Sequence, residues 1–511
     1  MKKFISLILS VLMVFSCCAV MASAAQKDFG HLPQIYLEGF ESKGVYYKED
    51  VKQENPLFFP INGDMMISNL MKYEDILARA VFEKDLNLLT NYLTIWINDC
   101  FGDVALKEDG FTVSDKVYVP ETELNYRGNG KYVFRYDCRL DPVDIAKELY
   151  ESYIPWVLSD CGYDRFELVA SSYGSGIALA LINEYPDMIS KIDSLLLCVP
   201  SVNGVNFAGE LFSGQVTVDA KALKNFLSGM VADDAITALI STLVKTGSLD
   251  FLLEALVNPA LNAVLMDAVR NVVINVFGTM PSMWSFVDDR YFEDALTNIY
   301  GPEGSELRAK YAGLIERVKY YHYNIMVRSS EIMTNAKNAG IKTNIVTKYG
   351  INPLPISKEG NFMGDGFVAI EMASFGAVSS MHQQKLPTDY QQAKYPEKNY
   401  MSPDWCIDAS TCLIPDNTWF IKNLNHGVKP DGYYELLNTI VYNDITIDSD
   451  ARFPQFLVVP DYDDEQVIPL ATYEEPSKEP EKETTWWQDF IDFIIGFFPR
   501  LIEMIKGWFA K

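Results

Sequence analysis

An α/β architecture built on a mainly parallel sheet is what this sequence predicts. Three observations predict it. Short, continuously apolar runs alternate with helical patterns, helix-start signals stand between them, and one long helical block interrupts the series. Parallel strands covered on both faces read as unbroken apolar runs, whereas half-exposed strands alternate.

The elements follow in order. Pro33 to Gly39 is the first strand candidate and Lys131 to Tyr136 the second. Asp141-Pro142 then supplies an N-cap and a proline in the first helical position. Ile145, Leu149, Tyr153 and Trp156 share one face of the helix that follows. Arg165 to Ala170 is a short strand, Tyr173 to Glu184 a helix, and Ser194 to Val199 another buried strand. Ile341 to Lys348 and Thr418 to Lys422 complete the predicted series. Between them, 203–330 is dominated by threes and fours of Leu, Val and Ala, for example Leu261, Val264, Leu265, Ala268 and Val272. An insertion after a strand's carboxyl end is positioned to cap a site. Most of its Leu and Val are expected to form its own core.

The chain has 511 residues, room for roughly three domains or one elaborated α/β domain. Its net charge of −26 argues against nucleic acid as the main partner. No nucleotide, flavin or haem motif stands out and no Cys/His spacing points to zinc, so neither cofactor nor metal is expected. Residues 1–25 read as a signal peptide: Lys2 and Lys3, an apolar Ile5 to Val20, then Ala22-Ser23-Ala24. A secreted or surface-associated protein, bacterial by its leader, is expected. Cleavage leaves six cysteines, of which Cys406 and Cys412 are close enough for one short bridge.

The expected organisation is a leader over 1–25, a core in two parts over 26–202 and 331–472, and the cap over 203–330. An acidic, proline-punctuated linker over 473–485 and an amphipathic helix over 486–511 follow. That last segment carries a wide apolar face with Asp489, Asp492, Arg500, Glu503 and Lys506 opposite. It fits a helix lying in a membrane surface; docking on the protein's own body or a partner is the competing reading.

Phe166 to Gly176 is the most informative stretch. A strand enters a tight turn and a helix of small residues. A nucleophile on such a turn needs small residues two before and two after it, because strand and helix approach closely. Ser172 has Ala170 and Gly174 there; Ser171 and Ser175 do not satisfy the rule. A serine needs a base, and the chain has four histidines: His31, His322, His382 and His426. His426 follows a strand in a loop, and a helix starts near Pro430-Asp431, so it is the candidate base. Asp365, flanked by Gly364 and Gly366 in an expected exposed loop, is the candidate acid; Asp408 and Asp416 compete. The N–H groups of Phe40 and Tyr173 are candidates for an oxyanion hole.

These residues resemble the α/β-hydrolase superfamily, and within it the lipases of the lecithin–cholesterol acyltransferase and lysosomal phospholipase group. Leu37-Glu38-Gly39-Phe40 stands at that group's oxyanion turn, and Tyr136-Asp137-Cys138-Arg139-Leu140 resembles its Tyr-Asp-Trp-Arg-Leu run. Ala170 to Gly174 matches the elbow, and Gly364-Asp365-Gly366-Phe367-Val368 resembles its Gly-Asp-Gly-Thr-Val loop. Cys138 and Glu38 depart from the pattern. The resemblance implies an α/β-hydrolase fold and a serine hydrolase of lipid esters. The alternatives are a soluble-ester esterase or amidase, and a non-catalytic surface-binding module on the same fold.

Overall fold

The computed structural model describes residues 27–474, apart from 41–42, 59–64, 66–67, 70–71, 84, 122–123, 125, 216–269, 272–273, 352, 354–361 and 461–464. The expected leader over 1–25, the expected amphipathic helix over 486–511, most of the expected linker and the middle of the insertion therefore lie outside the described residues.

Eight strands form the central sheet: β1 (Gln34–Leu37), β2 (Lys131–Phe134), β3 (Phe166–Ser171), β4 (Ile192–Cys198), β5 (Lys342–Tyr349), β6 (Thr418–Lys422), β7 (Phe456–Val458) and β8 (Ile468–Pro469). Their order across the sheet is β2-β1-β3-β4-β5-β6-β7-β8. All neighbours run parallel except β8, which pairs antiparallel with β7. The order reverses at β1, which lies between β2 and β3. In an open parallel sheet, ligands bind outside the carboxyl ends of the strands at such a reversal. With helices on both faces and an insertion between β4 and β5, this is the α/β-hydrolase fold.

Alternation along the strands builds two cores. Leu168 and Ala170 of β3, Leu195 and Leu197 of β4 and Ile345 of β5 face one side. Val169, Leu196, Cys198 and Val346 face the other. The first face is covered by α1 (Pro142–Glu148), α2 (Ile154–Cys161), α3 (Gly174–Glu184) and α4 (Ser329–Asn338), and the second by α5 (Asp431–Asn443). Asp141 caps α1 by accepting the Val143 N–H at 2.7 Å, with Pro142 in the first turn. A π turn over Leu149–Tyr153 joins α1 to α2 just before Pro155. That widening accommodates a residue that has no N–H and whose ring crowds the preceding turn.

The insertion's described helices, including Asn206–Ser213, Phe292–Tyr300 and Ala312–Tyr321, carry their own core. Phe212, Trp284, Phe292, Leu296, Tyr300 and Leu314 pack there on one another. Among the described residues no helix is long and apolar enough to cross a membrane.

Two expectations change, and one region acquires elements that no sequence pattern was read for. The sheet does not end at Thr418–Lys422: β7 has three residues and β8 two, too short to show a period. Among the described residues of the 43–130 region are the helices Glu74–Glu83 and Leu86–Phe101. The second follows Asp85, which caps it, and presents Leu89, Tyr92 and Trp96 to the first core. Cys406 and Cys412 are free, buried thiols, both pushed up to about 11 by burial. Closeness in sequence does not supply the Cα separation and Cβ directions a bridge needs.

Glu167 on β3 generates a testable consequence. It is 5% exposed, and among the described residues its Oε2 has no hydrogen-bond partner. Burial, and after it the neighbouring Asp193 carboxylate, push its pKa up to about 7, against the opposing pull of Ser194 and then of Lys342. The folded state therefore binds more protons than the unfolded state between the ordinary glutamate value and about 7. Its contribution is fully present below the unfolded value and is lost as pH rises through the folded one. Glu167→Gln should therefore raise stability at about pH 8 by on the order of 2 kcal/mol and leave it nearly unchanged at about pH 4. Thermal unfolding across that range checks this; parallel curves for both proteins would contradict it.

Candidate active site

The candidate residues converge at the carboxyl ends of β1, β3, β5 and β6. Ser172 directly follows β3 and has φ of +52°, a left-handed conformation unusual for a residue with a side chain. The turn is held from below, where the Ser172 N–H donates to the Cys198 carbonyl at 2.8 Å. It is held from the side by α3, which starts at Gly174. A Cβ on Gly174 would stand 2.8 Å from the Glu38 carbonyl oxygen and 2.9 Å from that of Leu37. A Cβ on Gly39 would stand 3.3 Å from Ser172 Cβ. Both glycines are the steric condition for bringing the end of β1 against the turn.

His426 lies in the loop after β6. Asn423 there adopts φ of +60° and donates its N–H to the Tyr349 carbonyl at 2.8 Å, which turns the chain back over the sheet. His426 Nε2 is 2.8 Å from Ser172 Oγ, and its Nδ1 is 2.7 Å from Asp365 Oδ2. With the proton on Nδ1 facing a carboxylate, Nε2 is free to accept the serine hydroxyl hydrogen. The His426 N–H also donates to the Asp365 carbonyl at 3.1 Å.

Asp365 differs from expectation: it is buried, 1% exposed, not an exposed loop carboxylate. Its Oδ1 accepts the N–H groups of Phe367 at 2.9 Å and Val368 at 2.7 Å, leaving Oδ2 for the imidazole. The flanking glycines serve this closed turn. Gly366 has φ of +91°, and a Cβ on Gly364 would fall 2.2 Å from the Val368 carbonyl oxygen.

Phe40 and Tyr173 stand beside Ser172, their rings edge to face at 5.7 Å, with Phe286 of the insertion packed on both. The Tyr173 N–H belongs to a helix start, where amides lack intrahelical acceptors. Two tyrosine hydroxyls, to which the sequence assigned no role, hold this corner. The Tyr136 hydroxyl donates to the carbonyls of Glu38 and, at 3.1 Å, Gly39. The Tyr173 hydroxyl donates to the Leu140 carbonyl at 2.6 Å. Arg139 is wholly buried, bidentate to Asp137 at 2.9 and 2.7 Å, and donates to the Val104 carbonyl at 2.7 Å.

The competing residues lie elsewhere. His31 is bonded to the Leu32 carbonyl and stacks on Tyr442. His322 is stacked on Phe292 at 3.6 Å and bonded to Asp289, and His382 is buried in the loop before β6. Asp408 accepts from the Ser410 and Ala393 N–H groups and the Tyr390 hydroxyl, and Asp416 pairs with Lys398. Both carboxylates fasten the segment between Gln383 and Cys412. Lys348 was read only as a strand end, yet it reaches the His426 loop. A lysine in a buried parallel strand is the signal that could have found it. Among the described residues, no group of three or more His, Cys, Asp or Glu gathers as a metal site.

No family model matches this chain, and no curated protein matches it. Among solved structures it is similar to a mutant meta-cleavage product hydrolase, CumD, at 13% identity over 64% of this chain and 74% of that one, with a TM-score of 0.18. It is also similar to the Tle4–Tli4 complex, at 10% identity over 62% and 74%, with a TM-score of 0.23. These likenesses are too slight to bear on function; the fold rests on the strand order above.

The close approach at the turn sets an order of mutational cost. Gly174→Ala meets two backbone carbonyls that cannot rotate away, and should cost about 1–3 kcal/mol. Gly39→Ala meets one Cβ at a milder separation and should cost less. Chemical denaturation of the two variants checks the ranking, and a reversed order would contradict the packing described.

Proposed function

We propose that this chain is a serine hydrolase that cleaves carboxylic esters. The reading rests on one observation: Ser172 Oγ, the His426 imidazole and the Asp365 carboxylate form an unbroken hydrogen-bonded line, 2.8 and 2.7 Å per link, at the switch point of the sheet. In this reading His426 Nε2 takes the hydroxyl proton as Ser172 Oγ attacks the ester carbonyl. The N–H groups of Phe40 and Tyr173 stabilise the oxyanion. The imidazolium, held by Asp365, then protonates the departing alcohol and leaves an acyl-Ser172. Water, deprotonated by the same imidazole, releases the acid and restores the serine.

Lipid esters are the substrate class we favour. The support is the aromatic setting of Ser172, where Phe40, Tyr173 and Phe286 pack together and Phe367 lies 5.4 Å from the His426 ring. The motif resemblance to the lecithin–cholesterol acyltransferase group points the same way. A soluble ester is favoured by a different observation, the packing of the insertion's apolar side chains on one another. We also propose secretion through 1–25 and attachment to a lipid surface through 486–511, both outside the described residues.

A fluorophosphonate should label the wild-type protein once, at Ser172, and Ser172→Ala not at all. Asp365→Asn should fold and lose ester turnover on the order of 10⁴-fold, because the amide no longer holds the imidazole in the right tautomer. Unchanged turnover in Ser172→Ala would sink the reading. A p-nitrophenyl ester series from acetate to palmitate decides the substrate: turnover rising with chain length supports lipids, and turnover confined to short chains replaces them with soluble esters. Deleting 486–511 should abolish co-sedimentation with liposomes and spare turnover of a soluble ester; persistent binding would refute the attachment.

A further inference from the structure

We infer that Lys348 is a positioning residue that fixes the His426 loop in register with Ser172 and Asp365. The inference rests on the roles proposed for those three residues. Lys348 is the penultimate residue of β5 and is fully buried. Its Nζ donates to the carbonyls of Asn425 at 3.2 Å, His426 at 3.1 Å and Val428 at 2.6 Å. An ammonium has three hydrogens, and all three are used on carbonyls of three residues within the stretch 425–428 of one loop. The face of the Tyr433 ring lies 4.5 Å from Nζ.

The choice of residue follows the loop and not the strand. A buried position in a parallel sheet ordinarily takes Val, Ile or Leu, and lysine is almost never fully buried without a partner. Here its partners are carbonyls that a short loop turned back over the sheet leaves without strand or helix acceptor roles. One of them belongs to His426 itself, so a shift of the loop moves Nε2 relative to Ser172 Oγ. The second restraint is the His426 N–H on the Asp365 carbonyl, which ties the same loop to the acid. The groups acting on the ammonium are the Asp365 carboxylate from the acid loop, Lys429 from the base loop and the Cys198 thiol from β4. Lys429 is itself engaged with the Tyr36 hydroxyl at 3.0 Å. Burial pulls the Lys348 pKa down to about 7, and Asp365 works against that.

The test uses Lys348→Met in the full chain, with three readings. Fluorophosphonate labelling gives an end-point stoichiometry and a rate, and ester turnover gives kcat and KM separately. A proton spectrum gives the downfield Nδ1–H resonance of His426, assigned by its loss in His426→Gln. We expect complete labelling at the end point, with a rate and kcat lower on the order of 100-fold, as for a loosened catalytic geometry. KM should change little and the resonance should broaden or vanish. A rate within about twofold of wild type with an unchanged resonance would overturn the proposal. If Lys348→Met does not fold, Lys348→Arg is read in its place, since it keeps charge and donors but displaces them. A slowed rate with full stoichiometry there supports positioning, and a wild-type rate overturns it. Failure of both to fold assigns Lys348 to the stability of the whole sheet and overturns it as well. A wild-type protein that is never labelled sinks the hydrolase reading instead, and the resonance in Lys348→Met still decides for or against the anchoring.

Discussion

The close approach of the Ser172 turn to the end of β1 is the constraint on which the site depends. Gly174 brings α3 against the carbonyls of Leu37 and Glu38, and Gly39 lets the chain pass beside Ser172 on its way to Phe40. That approach brings Phe40 and Tyr173 into contact beside one serine, and Ser172 itself takes a left-handed conformation. Strain of this kind costs about 1–3 kcal/mol and persists only where surrounding structure over-determines it. Here the surroundings are β4, which accepts the Ser172 N–H through the Cys198 carbonyl, and the hydroxyls of Tyr136 and Tyr173. A turn held on three sides at the end of a central strand fixes where the Ser172 hydroxyl stands.

Buried polar groups then assemble the rest. The chain carries a net charge of −26, yet Arg139 and Lys348 are each buried completely. Each makes three hydrogen bonds, Arg139 two to Asp137 and one to the Val104 carbonyl, Lys348 one to each of three carbonyls of one loop. Burying a charge is costly unless its hydrogen bonds are made, so both fix geometry: removing a donor strands its acceptors. Arg139 ties the end of β2 to the segment after Leu86–Phe101, and Lys348 ties β5 to the loop after β6. Asp365 follows the same logic. Two amides fix its carboxylate and leave one oxygen for His426.

Much of this was legible in the residues. The first six strands announce themselves as apolar runs, and Asp141-Pro142 as a helix start, because burial on both faces and capping impose strong local patterns. Ser172 was legible from size alone, since Ala170 and Gly174 are what a tight strand-to-helix turn demands. His426 and Asp365 were legible from chain order and loop position. What escaped the sequence depends on tertiary contact. The short strands β7 and β8 are held by their neighbours rather than by a period. Asp365 looked exposed because glycines flank it, whereas those glycines close the turn that buries it. The Cys406 and Cys412 pair looked bridgeable because spacing carries no geometry. Lys348 looked like a strand end because its acceptors are almost eighty residues away along the chain.

The most direct test of the account is a crystal structure of the fluorophosphonate adduct. The account predicts phosphorus bonded to Ser172 Oγ, with the phosphoryl oxygen roughly 2.7–3.1 Å from the N–H groups of both Phe40 and Tyr173. His426 Nε2 should remain beside the ester oxygen and Nδ1 on Asp365. An adduct on another residue, or a phosphoryl oxygen turned to solvent away from both amides, would contradict it.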